Sequence, residues 1–158
     1  MSLESWHRNG WLRPHRTTAS QIADLFKIVD RDLQDACTAR LSTDWQFGIA
    51  YNAALKLCTI LLNAEGWRPE RTLAHYRTLQ ALPHILGTAR QKDADYLDAC
   101  RAKRNTVEYD AAGRTSAEEA QELIEFCTGL RADVVTWLRQ KHPDLLPPVQ
   151  PGEAGTQR

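Results

Sequence analysis

The chain has 158 residues, with 20 Lys or Arg against 20 Asp or Glu, so its formal net charge is zero. This length suffices for one domain whose core needs neither disulfides nor a metal. Zero net charge excludes a global positive field for nucleic acid or anionic membrane, so any such binding must be local.

The four cysteines lie far apart, and each falls on an apolar helical stripe: Cys37, Cys58, Cys100 and Cys127. No pair has the spacing of a zinc site or a CxxC motif, so we predict buried, reduced thiols, no metal and no cofactor. The longest apolar run, 57–62, is too short to span a bilayer, and the amino terminus lacks the apolar segment of a signal peptide. These features predict a cytoplasmic protein without membrane contact.

Residues 1–16 are predicted to form an N-terminal arm ahead of a helical domain at 17–146. The arm carries Trp6 and Trp11 among basic side chains. Pro14 is expected to prevent an early helix, because its ring blocks helix propagation. The arm therefore either packs through its tryptophans or serves as a basic handle.

Two capping-box patterns, each a threonine followed three residues later by glutamine, introduce the first two predicted helices. Thr18 opens an amphipathic helix over 18–41 with an acidic outer face. Thr43 introduces 45–64, which is apolar on nearly every side and is therefore expected in the middle of a bundle. Gly66 can end that helix in the left-handed conformation.

A third helical segment is predicted over 73–82. Pro83 must break or restart it, and Gly87 loosens the turn that follows. His75 lies near its start, among several arginines. A histidine in this setting is more often a hydrogen-bonding surface group than a catalytic base.

The segment 93–110 reads as a helix with Tyr96, Leu97, Cys100 and Val107 on one stripe, and Arg104 falls inside that stripe. A guanidinium is costly to bury without carboxylates, carbonyls or a bound anion around it. Glu108, one turn on, is the nearest candidate partner. The alternative is ordinary helix electrostatics, since acidic residues begin this segment and basic residues follow them.

The last predicted helix opens at Ser116 with Glu119 completing a capping box, and Pro143 stops it. Its apolar side comprises Ala120, Leu123, Ile124, Cys127, Leu130, Val134, Trp137 and Leu138. Residues 147–158 have too little apolar content to fold and are predicted to be a disordered tail.

No segment shows the sustained alternation of apolar and polar residues that marks a strand. The chain is therefore predicted to be all-α, an antiparallel four- to five-helix up-and-down bundle with short connections. One of its members is broken by proline.

The residues that could carry chemistry cluster late in the fourth helical segment. Arg101 and Arg104 lie beside Asn105, with Glu108 and Tyr109 one turn on. Paired arginines beside an amide suit a phosphate or carboxylate, because a guanidinium donates two parallel hydrogen bonds and the amide a third. Gly-rich phosphate loops and the common metal-site and nucleophile motifs are absent from the sequence.

These residues resemble the HEPN family. The resemblance covers residues 20–146 and is carried by GWRP at 66–69, HYRTL at 75–79, Leu-Pro at 82–83, Asp-Tyr-Leu at 95–97, R-x-x-R-N-x-x-x-Y-D at 101–110 and the Trp-Leu pair at 137–138. It implies a small prokaryotic helical bundle, often dimeric. Such proteins are often encoded beside a minimal nucleotidyltransferase as a toxin and antitoxin pair.

In ribonuclease members of that family an Arg-Asn pair opens an Arg-x(4–6)-His motif, and Arg104 with Asn105 matches its beginning. Tyr109 stands where those enzymes have histidine. A tyrosine with a pKa of about 10 is a poor acid-base group at neutral pH. The resemblance therefore implies a degenerate site that binds and does not cleave.

Three functions follow as hypotheses. The first is a non-catalytic HEPN-like protein that binds a nucleotide, an RNA phosphate or a nucleotidyltransferase-type partner through Arg101, Arg104, Asn105 and Tyr109, with His75 nearby. The second is a metal-independent ribonuclease toxin whose proton transfer uses Glu108, Tyr109 or His75. The third is a structural dimer without a ligand, and a homodimer through the fourth helix is expected in each case.

Overall fold

Four long helices make up most of the protein, and they follow the same order along the chain as the helical segments predicted from the sequence. The computed structural model describes residues 2–109 and 112–146. Within these residues the elements are α1 (Leu3–Arg8), β1 (Leu12–Pro14), α2 (Ala19–Ala36), α3 (Thr43–Ala64), β2 (Trp67–Pro69), α4 (Ala74–Gln80), α5 (Leu82–Leu86), α6 (Gln91–Tyr109) and α7 (Ala117–Lys141). Single turns of 3-10 helix lie at Thr88–Arg90 and Pro143–Leu145. The fold is an all-α helical bundle, as predicted.

The consecutive long helices α6 and α7 run in opposite directions, as the ion pairs between them show. Arg90, at the entry of α6, donates to Asp133 late in α7 at 2.6 Å. Lys103, late in α6, pairs instead with Glu119 early in α7. The start of one helix therefore lies beside the end of the other, as in an up-and-down bundle.

Side-chain caps set the starts of α2, α3 and α7. Thr18 and Ser116 accept hydrogen bonds from backbone N–H groups three residues on, each at 3.1 Å, as predicted. Glu119 completes the capping box of α7 by accepting from the Ser116 N–H at 3.1 Å. The box predicted at Thr18 forms only in part, because the Gln21 side chain accepts instead from the Thr17 hydroxyl at 3.1 Å. The predicted cap of α3 is wrong by one residue, because Ser42 and not Thr43 fills that position. Serine caps somewhat better than threonine, and the capping-box spacing alone does not take this difference into account.

α3 lies at the centre of the bundle and contacts α2, α6 and α7. It buries 12 of its 22 residues, which explains why the sequence shows almost no polar face. By length and composition this helix could cross a membrane, with a mean hydropathy of 1.3, but 67% of the qualifying window is buried inside the bundle. Gly66 follows the helix with φ +91°, the left-handed conformation predicted to end it.

α7 and α2 cover α3 with periodic apolar faces. The eight apolar residues predicted on α7 are all buried. α2 ends at Ala36, before the predicted end at Leu41, because the Cys37 N–H bonds only three residues back and closes a tighter turn. Cys37 is consequently exposed, which corrects the prediction of four buried thiols. The other three cysteines are free and buried as predicted: Cys58, Cys100 and Cys127.

The N-terminal arm contains secondary structure that the sequence analysis missed. Ser2 and Ser5 form a reciprocal capping box for α1, and Pro14 lies beyond that helix and so does not prevent it. β1 pairs antiparallel with β2, with Leu12 opposite Pro69. Two three-residue strands so far apart in sequence leave no local periodicity, so the expectation of an entirely helical chain was wrong on this small sheet.

A second, smaller apolar cluster attaches the arm to the bundle. Its buried members are Leu3, Trp6, Leu12, Leu62 and Ala81, and Trp11, Trp67 and Ile85 pack against them. The Arg77 guanidinium lies 4.2 Å from the Trp11 ring centroid, which adds a cation–π contact. Of the two predictions for the arm, packing through its tryptophans is the one that the structure confirms.

The proline break in the third helical segment occurs as predicted. α4 ends at Gln80, and a new helix starts at Leu82 with Pro83 in its first turn. Gly87, at φ +114°, ends that short helix in a conformation that favours glycine. Residues 110 and 111 and the predicted disordered tail at 147–158 lie outside the described residues.

Candidate ligand-binding cleft

One stripe of α3 faces outward between α2 and α6. Trp45, Gly48, Ile49 and Asn52 are spaced by three or four residues and therefore share one side of the helix. The Trp45 side chain is 59% exposed, and Lys56, one turn beyond Asn52, is half-buried. The central helix of the bundle thus has one side that its neighbours leave open.

This stripe is the floor of a cleft of about 580 Å³. Asp32 of α2 lines one wall and Arg104 of α6 the other, while Asp44 and Gly113 lie at one end. Clefts of several hundred Å³ with a few polar groups on an apolar surface suit small organic ligands. The cleft therefore has the size of a ligand site and one cationic wall.

Arg104 extends from α6 along the surface of α3 and lines the cleft. A Cβ at Gly48 would lie 4.0 Å from the Arg104 Cγ, an ordinary van der Waals distance, so the arginine stem packs beside Gly48 without requiring a glycine there. The guanidinium carbon lies 5.7 Å from the Tyr51 ring centroid. Arg104 is half-buried. The prediction that it faces the core is corrected accordingly, because the side chain is only half-buried and lines the cleft on the open side of α3.

Arg101 lies one turn before Arg104 and is held by two contacts. Its Nε donates to Asp98 at 2.8 Å, and its guanidinium carbon lies 6.0 Å from the Tyr76 ring centroid. Tyr76, on α4, is 39% exposed. Arg101 is thus a partly neutralised cation at the edge between α4 and α6.

His75 of α4 lies close to both arginines. Its ring centroid is 6.5 Å from that of Tyr51. Burial lowers the pKa of His75, and the positive charges of Arg104, Lys56 and Arg101 lower it further. One imidazole therefore senses three cations that come from α3 and α6, which identifies a local positive field in a chain of zero net charge.

Tyr51 lies beneath this group of cations. Its side chain is 2% exposed, and among the described residues its hydroxyl has no hydrogen-bond partner. Burial raises the pKa of Tyr51 to about 12, although Arg101 and Arg104 act in the opposite direction. A buried hydroxyl without a partner costs about 1 to 3 kcal/mol. Tyr51 is therefore a neutral and unfavourable polar group under the positive field.

The opposite wall is built around a buried carboxylate. Asp32 is 5% exposed, and its Oδ2 accepts a hydrogen bond from the Asn52 amide nitrogen at 2.6 Å. Its Oδ1 accepts from Arg31 at 3.0 Å. Because a carboxylate only accepts, this pairing fixes which end of the Asn52 amide faces α2.

One end of the cleft is closed by hydrogen bonds to the first turn of α3. Asp44 accepts from the backbone N–H of Gly113 at 2.5 Å and from that of Thr115 at 3.2 Å. The Thr43 hydroxyl donates to the Thr115 carbonyl at 2.6 Å. The bond from Gly113 is the main reason why the pKa of Asp44 is below its usual value. The segment that precedes α7 is thereby tied to α3.

The structure brings together three of the predicted site residues, Arg101, Arg104 and His75, around Tyr51. Asn105 is half-buried on α6. A step of 100° along the helix separates it from Arg104. Tyr109 ends α6, but its side chain and that of Glu108 are outside the described part of the structure. The predicted partnership of Arg104 with Glu108 therefore remains a prediction.

The sequence analysis missed the contributions of α3, namely Trp45, Tyr51, Asn52 and Lys56. A signal for three of them was present, because Trp45, Asn52 and Lys56 recur at helical spacing within an otherwise apolar segment. Within residues 2–109 and 112–146, no three His, Cys, Asp or Glu side chains come together in a way that could hold a metal ion. The donors in the cleft are suited to an organic or phosphate-bearing ligand.

Comparison with known proteins adds no identification to this geometry. The chain matches no protein-family model, no curated protein and no solved structure. The functional argument consequently rests on the cleft and its residues.

Proposed function

We propose that this protein is a HEPN-like helical bundle that binds the phosphate group of a nucleotide or of RNA in the cleft between α2, α3 and α6, without cleaving it. Arg104 is the principal phosphate contact. Arg101 and Lys56 supply the surrounding positive field, and Asn105 and Tyr109 belong to the same predicted motif on α6.

The observation that carries the proposal is the position of Arg104. Arg104 lines a cleft of about 580 Å³, and its charge and those of Arg101 and Lys56 converge on the neighbouring His75. A half-buried guanidinium in a partly desolvated cleft binds an oxyanion more strongly than an exposed one, because water screens it less. A local site of this kind is compatible with zero net charge.

Binding without cleavage follows from the residue at the end of the motif. Tyr109 occupies the position of the family histidine, and a phenol with an ordinary pKa of about 10 holds its proton at neutral pH. Purified protein should therefore leave single-stranded RNA and tRNA intact in the presence of a chelator. If the absent histidine alone explains this inactivity, Tyr109→His should create cleavage.

The binding test compares two arginines that both lie over aromatic rings. Arg104→Met should weaken the binding of pyrophosphate, measured by calorimetry, at least about tenfold, the factor for a lost charged hydrogen bond. Arg131→Met is the matched control, because the Arg131 guanidinium lies 5.1 Å from the Phe26 ring and pairs with Asp30 away from the cleft. Equal affinity in the two variants would contradict the proposal.

A metal-independent ribonuclease is the second candidate function, and the setting of His75 favours it. Its lowered pKa keeps the imidazole neutral at pH 7, the form that can accept a proton, next to two arginines that could hold a phosphate. Cleavage of RNA in chelator that His75→Ala and Arg104→Ala each abolish, with the fold intact, would establish this function. The same result would refute the non-cleaving site.

A homodimer through α6 is part of the proposal. Trp6, Trp11 and Trp67 pack within the chain and no longer argue for an interface, but Trp45 and Tyr76 remain exposed beside the arginines. Aromatic residues and arginine are enriched at interfaces. Sedimentation over a dilution series, with and without phosphate, tests the dimer. A gene for a minimal nucleotidyltransferase next door would identify the alternative protein partner.

A further inference from the structure

The amide of Asn52 presents a hydrogen-bond acceptor to the cleft. Its nitrogen must face Asp32, because the carboxylate can only accept, and the two atoms are 2.6 Å apart. Asp32 is itself held by Arg31 at 3.0 Å. Among the described residues the Asn52 Oδ1 takes no hydrogen bond, so it is the atom of this side chain that a ligand would meet.

The polar groups of the cleft are unevenly distributed. Arg104 is its one cation among the described lining residues, whereas Asp32, Asp44 and the Asn52 oxygen are acceptors. Asn52 lies four residues beyond Gly48, against which the arginine stem packs, so about 6 Å along the axis of α3 separates the two levels. A ligand that fits has an anionic part and, within a few ångströms, a part that donates hydrogen bonds.

The floor between these polar groups suits a flat ring. Gly48 has no side chain, Ile49 is apolar, and the exposed Trp45 indole stands at the rim. Stacking on an aromatic side chain contributes about 1 to 3 kcal/mol per base and accepts any base. The choice between bases would therefore come from hydrogen bonds at the wall.

We infer that the cleft holds a single unpaired nucleotide whose base carries an exocyclic amino group, with the Asn52 oxygen accepting from that group. Asn52 is the specificity-determining residue, and Asp32 is the positioning residue that fixes its amide. The inference rests on the proposed function, since Arg104 holds the phosphate of the same nucleotide.

Uracil is disfavoured for a simple reason. Cytosine presents an amino donor at the position where uracil presents a carbonyl acceptor, and the two rings are otherwise of the same size. A carbonyl facing the Asn52 oxygen and the neighbouring carboxylates places acceptor against acceptor. Cytidine and uridine monophosphates therefore differ at the exocyclic C4 group that this wall would recognise, and also at N3, which carries a proton only in uracil.

The test is calorimetry of the full-length protein with cytidine monophosphate, uridine monophosphate and inorganic phosphate. The cytidine nucleotide should bind about tenfold more tightly, the factor for one hydrogen bond. Asn52→Leu should remove that preference and leave the affinity for inorganic phosphate unchanged. Asn63→Leu, on the same helix but away from the cleft, is the matched control and should keep the preference.

The positioning role of Asp32 is tested by the same ratio of affinities for cytidine and uridine monophosphate. Asp32→Asn retains an oxygen that can accept from Asn52 and should keep the preference, whereas Asp32→Ala should reduce it without changing phosphate affinity. If the two nucleotides bind with equal affinity and Arg104→Met abolishes the binding of both, recognition of the base is refuted. The proposed phosphate binding is then still supported. Absence of binding by phosphate and by both nucleotides would overturn both.

Discussion

α6 and α7 both pack along α3, yet they differ in which side chains they turn towards the neighbouring helices. α7 has 25 residues, begins with a complete capping box and buries one apolar residue after another on a single face. α6 has 19 residues and buries Ala94, Leu97 and Cys100, after which Arg101, Lys103 and Arg104 lie half-buried against neighbouring helices. We interpret α7 and the first half of α6 as stabilising the fold, and the second half of α6 as maintaining a charged surface for a ligand.

The largest expected effect lies on α7. Leu123→Ala should lower the free energy of unfolding by about 3 kcal/mol, because Leu123 is 0% exposed and its truncation leaves a cavity in the core. Urea denaturation measures the change. Leu73→Ala is the matched control, since Leu73 is 56% exposed, and its effect should stay within about 0.5 kcal/mol. Similar losses of unfolding free energy in both variants would show that Leu123 contributes no more to stability than an exposed leucine.

The periodicity of α7 explains why its core face could be predicted residue by residue. An amphipathic helix with a solvated acidic side displays its buried face directly in the sequence. α3 offers no such contrast, because most of its surface is covered, and the open stripe with Asn52 is hidden among apolar residues. The β1–β2 pair could not be predicted for another reason, as it depends on contact between segments far apart in the chain.

The part of the candidate site that was predicted from the sequence lies on α6 and at His75 of α4. The arginines stand out because charged residues interrupt an apolar stripe, and His75 stands out as a histidine near them in the resemblance. Their grouping around Tyr51 depends on the packing of α4 against α3 and α6, which no local pattern specifies. The contact between the Arg104 stem and Gly48 likewise depends on the position of α6 against α3.

The next effect is expected at Tyr51, where the open side of α3 adjoins the core. Tyr51→Phe should raise the free energy of unfolding by about 1 kcal/mol, because it removes a buried hydroxyl without a partner among the described residues. Thermal and urea denaturation both measure this. A loss of stability would mean that the hydroxyl is satisfied, by an ordered water for example, and that Tyr51 belongs with the core groups.

A smaller effect on stability is expected at Arg104, and it separates a ligand group from a structural ion pair. Arg104→Met keeps much of the apolar stem and should change the free energy of unfolding by less than about 0.5 kcal/mol if the guanidinium serves a ligand. If Arg104 instead neutralises Glu108 in a buried pair, the same change should cost about 3 kcal/mol. A clear fall in the melting temperature would show that Arg104 stabilises the fold, so that the second half of α6 is structural in the same way as α7.

The smallest effect concerns pH and His75. The folded imidazole has a pKa below its ordinary value of 6.5, so near that pH the unfolded chain binds more protons than the folded one. Stability should therefore decline as the pH falls from 7.5 to below 6.5, and His75→Gln should lessen that decline. Phosphate should raise the pKa of His75, as followed by NMR titration, because a bound anion offsets the neighbouring cations. If phosphate leaves the pKa of His75 unchanged, His75 is not close to the anion site.

The hydrogen bonds of Asp44 have a consequence for amide exchange. Gly113 is exposed and would ordinarily exchange its backbone proton quickly with solvent, yet that N–H and the N–H of Thr115 both donate to one carboxylate on the first turn of α3. Their exchange is then governed by the opening of that turn and not by the surrounding loop. These two protons can report, in deuterated solvent, how often the end of the cleft opens and whether a ligand keeps it shut.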